Sequence, residues 1–172
     1  MQFPPPETPN YGADDLFAAL GRVVVAFQLL ELWVAEALSG MLGLLEQNDR
    51  HLISAAMSYR QKVDLLIELY STHGNPNLSV SLAVIKRAML LAEEFRNRTV
   101  HSVWSIRDSR QWVRTKSNLR GRTGFEVKTR TAEISLLQDA TKAMDNIRCW
   151  EFCDEALLVT AIHDLSQSEA DA

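Results

Sequence analysis

Residues that break regular structure are scarce in this chain. It has seven glycines and five prolines in 172 residues, and Pro4, Pro5, Pro6 and Pro9 lie at the very start. So few turn-formers beyond that point favour long helices over many short strands. Cysteine is almost missing too. Cys149 and Cys153 stand four apart in a segment that reads as helix, which fits neither a redox CxxC nor a zinc knuckle. They read as reduced thiols, and no metal or other cofactor is expected. There is no large surplus of one charge: 23% of residues are charged and the net charge is −4. The chain as a whole is therefore no general binder of polyanions. The N-terminus, MQFPPPETPN, lacks the charged and apolar regions of a secretory leader. A clean bilayer-length apolar run is missing as well, because Gln28, Glu31 and Glu36 interrupt the most apolar stretch, 23–45. These absences lead to the expectation of a soluble, cytoplasmic protein with no membrane partner.

What is present is apolar spacing at the helical period. The chain is 47% hydrophobic, enough for one sizeable core. Residues 1–13 read as a disordered proline-rich arm. After a cap at Asp14 or Asp15, the positions Leu16, Leu20, Val23, Phe27, Leu30, Val34, Leu38, Met41 and Leu45 recur at steps of three and four. Val24, Val25, Leu29, Leu32 and Trp33 add apolar surface on other sides, as in a helix covered on more than one face. That pattern suggests a central helix or a subunit interface, and helices 1 and 3 are expected at the interface of a homodimer. A second helix is expected from about 51 to 72, stopped by Gly74 and Pro76. A third is expected over about 78–102, with the stripe Leu78, Leu82, Ile85, Met89 and Ala92.

The periodicity then lapses. Trp112-Val113 and Phe125-Val127 form two short runs separated by SNLRGRTG, which reads as a β-hairpin at about 106–131. Thr131 can cap a final helix carrying Ile134, Leu137, Ala140 or Thr141, Met144, Ile147, Trp150, Ala156 or Leu157, and Thr160 or Ala161. The tail 166–172 reads as frayed. The fold class is thus all-α, a four-to-five-helix bundle in one domain (14–165), with a small β-hairpin inserted before the last helix.

The hairpin is electrostatically distinct. Residues 104–131 hold eight basic side chains against Asp108 and Glu126, a surplus of six in a chain whose net charge is −4. Such a local patch fits a phosphate-bearing partner. It also fits a solvated hairpin whose cations discourage edge pairing. Arg98, Arg107, Arg114, Lys116, Arg120 and Arg122 are the candidate RNA contacts.

The third helix ends on EEFRNRTVHSVW, residues 93–104. One more step of its stripe, 78-82-85-89-92, lands on Arg96. Asn97 and His101 are four apart and share a face, whereas Arg96 and His101 are about 140° apart on an ideal helix. Arginine offers a planar fork of donors for a phosphate. Histidine can carry a proton near neutral pH. Asparagine can orient the ring or the leaving group. No metal is needed for such a set to cleave RNA, whose ribose 2′-OH is a built-in nucleophile. Glu31 lies on the apolar face of helix 1 and needs a partner there; Arg96 is the expected one. On that reading, spacing alone favours a structural Glu31–Arg96 pair and a helix-end histidine.

RNRTVHSVW after a long amphipathic helix resembles the signature of the HEPN superfamily (higher eukaryotes and prokaryotes nucleotide-binding domain): an arginine, often followed by a polar residue, then a histidine after four to six intervening residues. Arg96, Asn97 and His101 match with four intervening. The helix outline is similar over about 14–165, and the apolar first helix with its embedded Glu31 looks like the family's first helix. The inserted hairpin departs from the minimal bundle and leaves the subfamily open. The resemblance implies a metal-independent endoribonuclease of the kind found in toxin–antitoxin and abortive-infection systems. In it, Arg96 would anchor the phosphate, Asn97 would orient, His101 would move the proton, and Glu31 would stand behind them. The resemblance also implies a homodimer whose two motifs meet in one groove. Other members are non-catalytic nucleotide-binding or antitoxin-type interaction modules, so an antitoxin or a nucleotidyltransferase is a further candidate partner.

Overall fold

The computed structural model describes residues 11–44, 46, 48, 51, 55–73, 80–106, 112–121, 124–131, 133–152 and 154–170. The expected arm lies outside them except for its last residues, where helix α1 (Tyr11–Met41) already begins. Asp14 therefore sits inside the first turn, and neither it nor Asp15 is the cap. There its carboxylate complements the partial positive charge of the helix N-terminus. Leu16, Val23, Phe27, Leu30, Val34 and Leu38 are all buried, so the three-and-four spacing is the core stripe. α1 ends in a Schellman motif. Gly43 takes φ 68°, Leu44 N–H donates to the Ser39 carbonyl (2.9 Å) and Gly43 N–H to that of Gly40 (3.1 Å).

The second helix, α2, runs Tyr59–His73, starting later than the expected 51. Ser58 and Gln61 form a capping box: Ser58 N–H donates to Gln61 Oε1 (2.9 Å), and Gln61 N–H to Ser58 Oγ (3.3 Å). That reciprocal cap fixes the start. Helix α3 covers Leu82–Val100. Ser81, just before it, donates its N–H to Glu155 Oε2 at 2.9 Å.

Beyond α3 lies a small antiparallel sheet, with strands β1 (Val103–Ile106), β2 (Trp112–Gly121) and β3 (Gly124–Thr131) in that order. β2 and β3 are the expected hairpin, and β1 adds a third strand along β2. Four residues with one exposed valine gave this strand no readable alternation. The expected final helix is present as two, α4 (Ile134–Arg148) and α5 (Glu155–Ala170), so the insertion precedes the pair. Between them a 3₁₀ turn, Trp150–Phe152, is anchored by the buried Trp150. Asp154 then accepts the Leu157 N–H (3.0 Å) as a fresh N-cap. The restart shifts the helical phase: Leu158, Ala161 and Leu165 are buried, while Leu157 is exposed. α5 stays helical past 165.

α1 packs against α2, α3 and α4, and α3 against α1, α2, α4 and α5, around one hydrophobic core. By length and composition α1 could cross a bilayer. Its stripe of Leu16, Val23, Phe27, Leu30, Val34 and Leu38 is buried in the core, while Phe17, Val25, Leu29 and Leu32 are exposed.

Candidate functional site

The candidate site is the C-terminal end of α3. His101 N–H donates to the Asn97 carbonyl at 3.0 Å, so the last turn keeps the α-helical bond pattern through the motif. The helix does not tighten there to bring Arg96 round to His101. Asn97 and His101 share the outer face of α3, and His101 is exposed. No side-chain hydrogen bond involves either residue among the described residues.

Arg96 turns the other way, toward α1. Its Cζ lies 4.4 Å from the centre of the Phe27 ring, a cation–π stack on a half-buried guanidinium. No ion pair of Arg96 occurs among the described residues. The expected Glu31–Arg96 pair is not formed. Glu31 Oε1 instead meets Lys62 Nζ at 3.1 Å, with the lysine side chain 2% exposed. A buried ammonium requires a carboxylate more urgently than does a guanidinium already lying on a ring. Lys62 was legible in principle: it sits in the buried stripe Tyr59, Lys62, Val63 and Leu66 of α2. Beside the pair, the Tyr59 hydroxyl is buried without a hydrogen-bond partner among the described residues. Burial, then the charges of Glu93 and Glu31, push its pKa well above the usual phenol range. It stays neutral.

Arg98 faces α5, where its Nη2 donates to the Leu165 carbonyl at 3.3 Å. It acts there as a tether between helices. Two bonds hold the chain just beyond His101. Ser102 Oγ donates to the Arg98 carbonyl (2.5 Å), and Trp104 Nε1 to that of Thr99 (3.0 Å). The start of β1 is thereby latched onto the end of α3. Val100 (49% exposed) and Val103 (67%) leave an apolar margin beside His101. A second apolar surface lies elsewhere, where Val25 and Leu29 of α1 line a shallow groove with Thr141 and Asp145 of α4. Leu32 of α1 is also exposed, whereas Trp33 packs edge-on against Trp150 (6.2 Å).

Of the candidate RNA contacts, Arg114 is half-buried in β2. Lys116 and Arg120 occupy later β2 positions, of which only the backbone is described. Arg107 and Arg122 lie outside the described residues. No group of three or more His, Cys, Asp or Glu that could hold a metal occurs among the described residues.

Among the described residues, fold and site together define a bundle of five long helices with an inserted sheet, and a helix end where Asn97 and the exposed His101 share one face. No protein-family model matches the chain, and neither a curated protein nor a solved structure matches it.

Proposed function

We propose that the chain is a HEPN-like endoribonuclease that cleaves RNA without a metal. The supporting observation is His101: exposed at the end of α3, on one face with Asn97, its ring without a partner among the described residues. In the proposed step the ribose 2′-oxygen attacks the neighbouring phosphorus and the 5′-oxygen leaves. The products are a 2′,3′-cyclic phosphate and a 5′-hydroxyl. His101 moves the proton, and Asn97 orients the leaving group or the ring. Arg96 diverges from His101 within one chain, so the anchor for the phosphate comes from a second copy across a shared groove. The apolar margin of Val100 and Val103 is where that copy would seat. Such a homodimer would act on cytoplasmic RNA.

A second reading is favoured by the Arg96–Phe27 stack. An arginine held inward is consistent with a non-catalytic module that binds nucleotides, an antitoxin or a nucleotidyltransferase. Incubating wild type and His101→Ala with a mixed RNA pool in EDTA, followed by end-group analysis, separates the two. Cyclic-phosphate ends from wild type alone support the nuclease. No cleavage by either protein supports the binding module.

A further inference from the structure

Acidic side chains adjoin Arg96 on two helices, and neither pairs with it. Glu93 stands three residues earlier on α3, on the same helix face. Glu31 stands one turn beyond Phe27 on α1, and the Arg96 guanidinium lies on the Phe27 ring, 4.4 Å from its centre. Both carboxylates are taken by α2 instead. Arg60 Nε meets Glu93 Oε2 at 3.9 Å, and its Nη2 meets Glu94 Oε1 at 3.7 Å. Lys62 Nζ meets Glu31 Oε1 at 3.1 Å. The two acids border one small region. Their charges both act on the buried Tyr59 hydroxyl, and the Tyr59 ring packs on Phe27 with 4.9 Å between centres. Arg96 completes that region, with no hydrogen bond or ion pair of its guanidinium among the described residues.

Packing alone does not account for the arrangement. Arg96 continues the row Ile85, Met89 and Ala92, all buried along α3, where a leucine would bury at lower cost. A half-buried cation draws the nearest carboxylate, and two are at hand. Lys62 adds a second cation, 2% exposed, to the same junction and occupies Glu31. The stack on Phe27 holds the guanidinium by its face and leaves the N–H donors at its edge unspent. A planar fork of donors fits two oxygens of a phosphate.

We propose that Lys62 is a positioning residue: by holding Glu31 it keeps Arg96, seated on Phe27, open to a phosphate group. Arg60 does the same for Glu93, from a pair whose arginine is 56% exposed and therefore weaker. The inference deepens the proposed function, on which it rests for the choice of an RNA phosphate as the anion.

The test uses full-length protein in the His101→Ala background, so that an RNA probe survives, at a temperature where every variant is folded. Two probes are used. Inorganic phosphate is titrated against the Nε–H magnetic-resonance signal of Arg96, assigned by its loss in Arg96→Ala. Oligouridine binding is followed by fluorescence anisotropy. Phosphate should shift the Arg96 signal of the parent. Lys62→Met releases Glu31 to pair with Arg96. The signal should then ignore phosphate, and oligouridine affinity should fall by about tenfold or more, the worth of one charged hydrogen bond. Adding Glu31→Gln to Lys62→Met should restore both readouts, and adding Arg96→Ala to that pair should abolish them again. A role in stability alone would change unfolding without producing this loss and rescue at Arg96. A parent signal that phosphate does not move overturns the proposal. So does parent-like binding by Lys62→Met, or weak binding by a folded Glu31→Gln, Lys62→Met double variant. If the parent binds in this way and the protein with His101 restored never cleaves, the nuclease falls and the role of Lys62 stands.

Discussion

Lys62 reaches Glu31 across the α1–α2 contact, Nζ to Oε1 at 3.1 Å, and so takes the carboxylate expected to hold Arg96. Breaking the pair should destabilise the bundle. Glu31→Gln leaves a buried ammonium, which is expected to cost about 1–3 kcal/mol. That is below the 3–5 kcal/mol typical of a fully buried pair, since the glutamate is 34% exposed. Adding Lys62→Met should recover most of the loss in urea denaturation. A double variant as unstable as Glu31→Gln alone would show that the pair is not the source.

The same relationship frees Arg96 for a clean experiment. Arg96→Ala gives up its stack on Phe27, worth about 0.5–2 kcal/mol, and leaves no carboxylate stranded. The variant should fold, so a loss of RNA cleavage reads directly on chemistry. His101→Ala should lower cleavage by roughly 10²–10⁴, the usual range for a proton-transfer group, with a near-unchanged melting temperature. Wild-type cleavage by His101→Ala would reduce the motif to a helix end.

Two apolar surfaces compete for the partner copy. Val103→Asp should convert dimer to monomer in light scattering and abolish cleavage. Leu29→Asp, in the groove between α1 and α4, should do neither. The reverse pattern would put the two-fold axis on α1, away from the motif, and end the shared-groove mechanism.

Tyr59 and Tyr70 should resist alkaline titration. Burial raises the Tyr70 pKa first, and its hydrogen bond to Glu151 and that residue's charge add to the effect. Both folded-state values lie above the unfolded one near 10. The native state then holds protons that the unfolded state releases, so the contribution to stability is complete below about pH 10 and declines as pH rises past it. Ultraviolet titration of folded protein should show these two phenols silent through that range. Full ionisation of all tyrosines near pH 10 without unfolding would contradict the burial.

The core was legible because one rule governs it: apolar residues at three-and-four spacing came out buried along α1 and along α3 from Ile85 to Ala92. What escaped was decided by short polar devices that periodicity does not see. Ser58–Gln61 moved the start of α2, and Asp154 restarted α5 in a new phase. The Glu31 partner escaped for a related reason. Helical spacing shows which face a charge is on, but not which neighbouring helix brings its counter-ion. The shared face of Asn97 and His101 comes from the α-helical turn and was readable; the exposure of His101 depends on what packs around the helix end and was not. The inward stack of Arg96 needed the position of Phe27 in three dimensions.

The indole of Trp104, bonded to the Thr99 carbonyl, joins β1 to the last turn of α3. The sheet and the helix end therefore cannot slide past each other without breaking that bond. The sheet and His101 are held at a constant offset. Trp104→Phe, which keeps an aromatic ring and loses the N–H, would turn that rigid joint into a loose coupling.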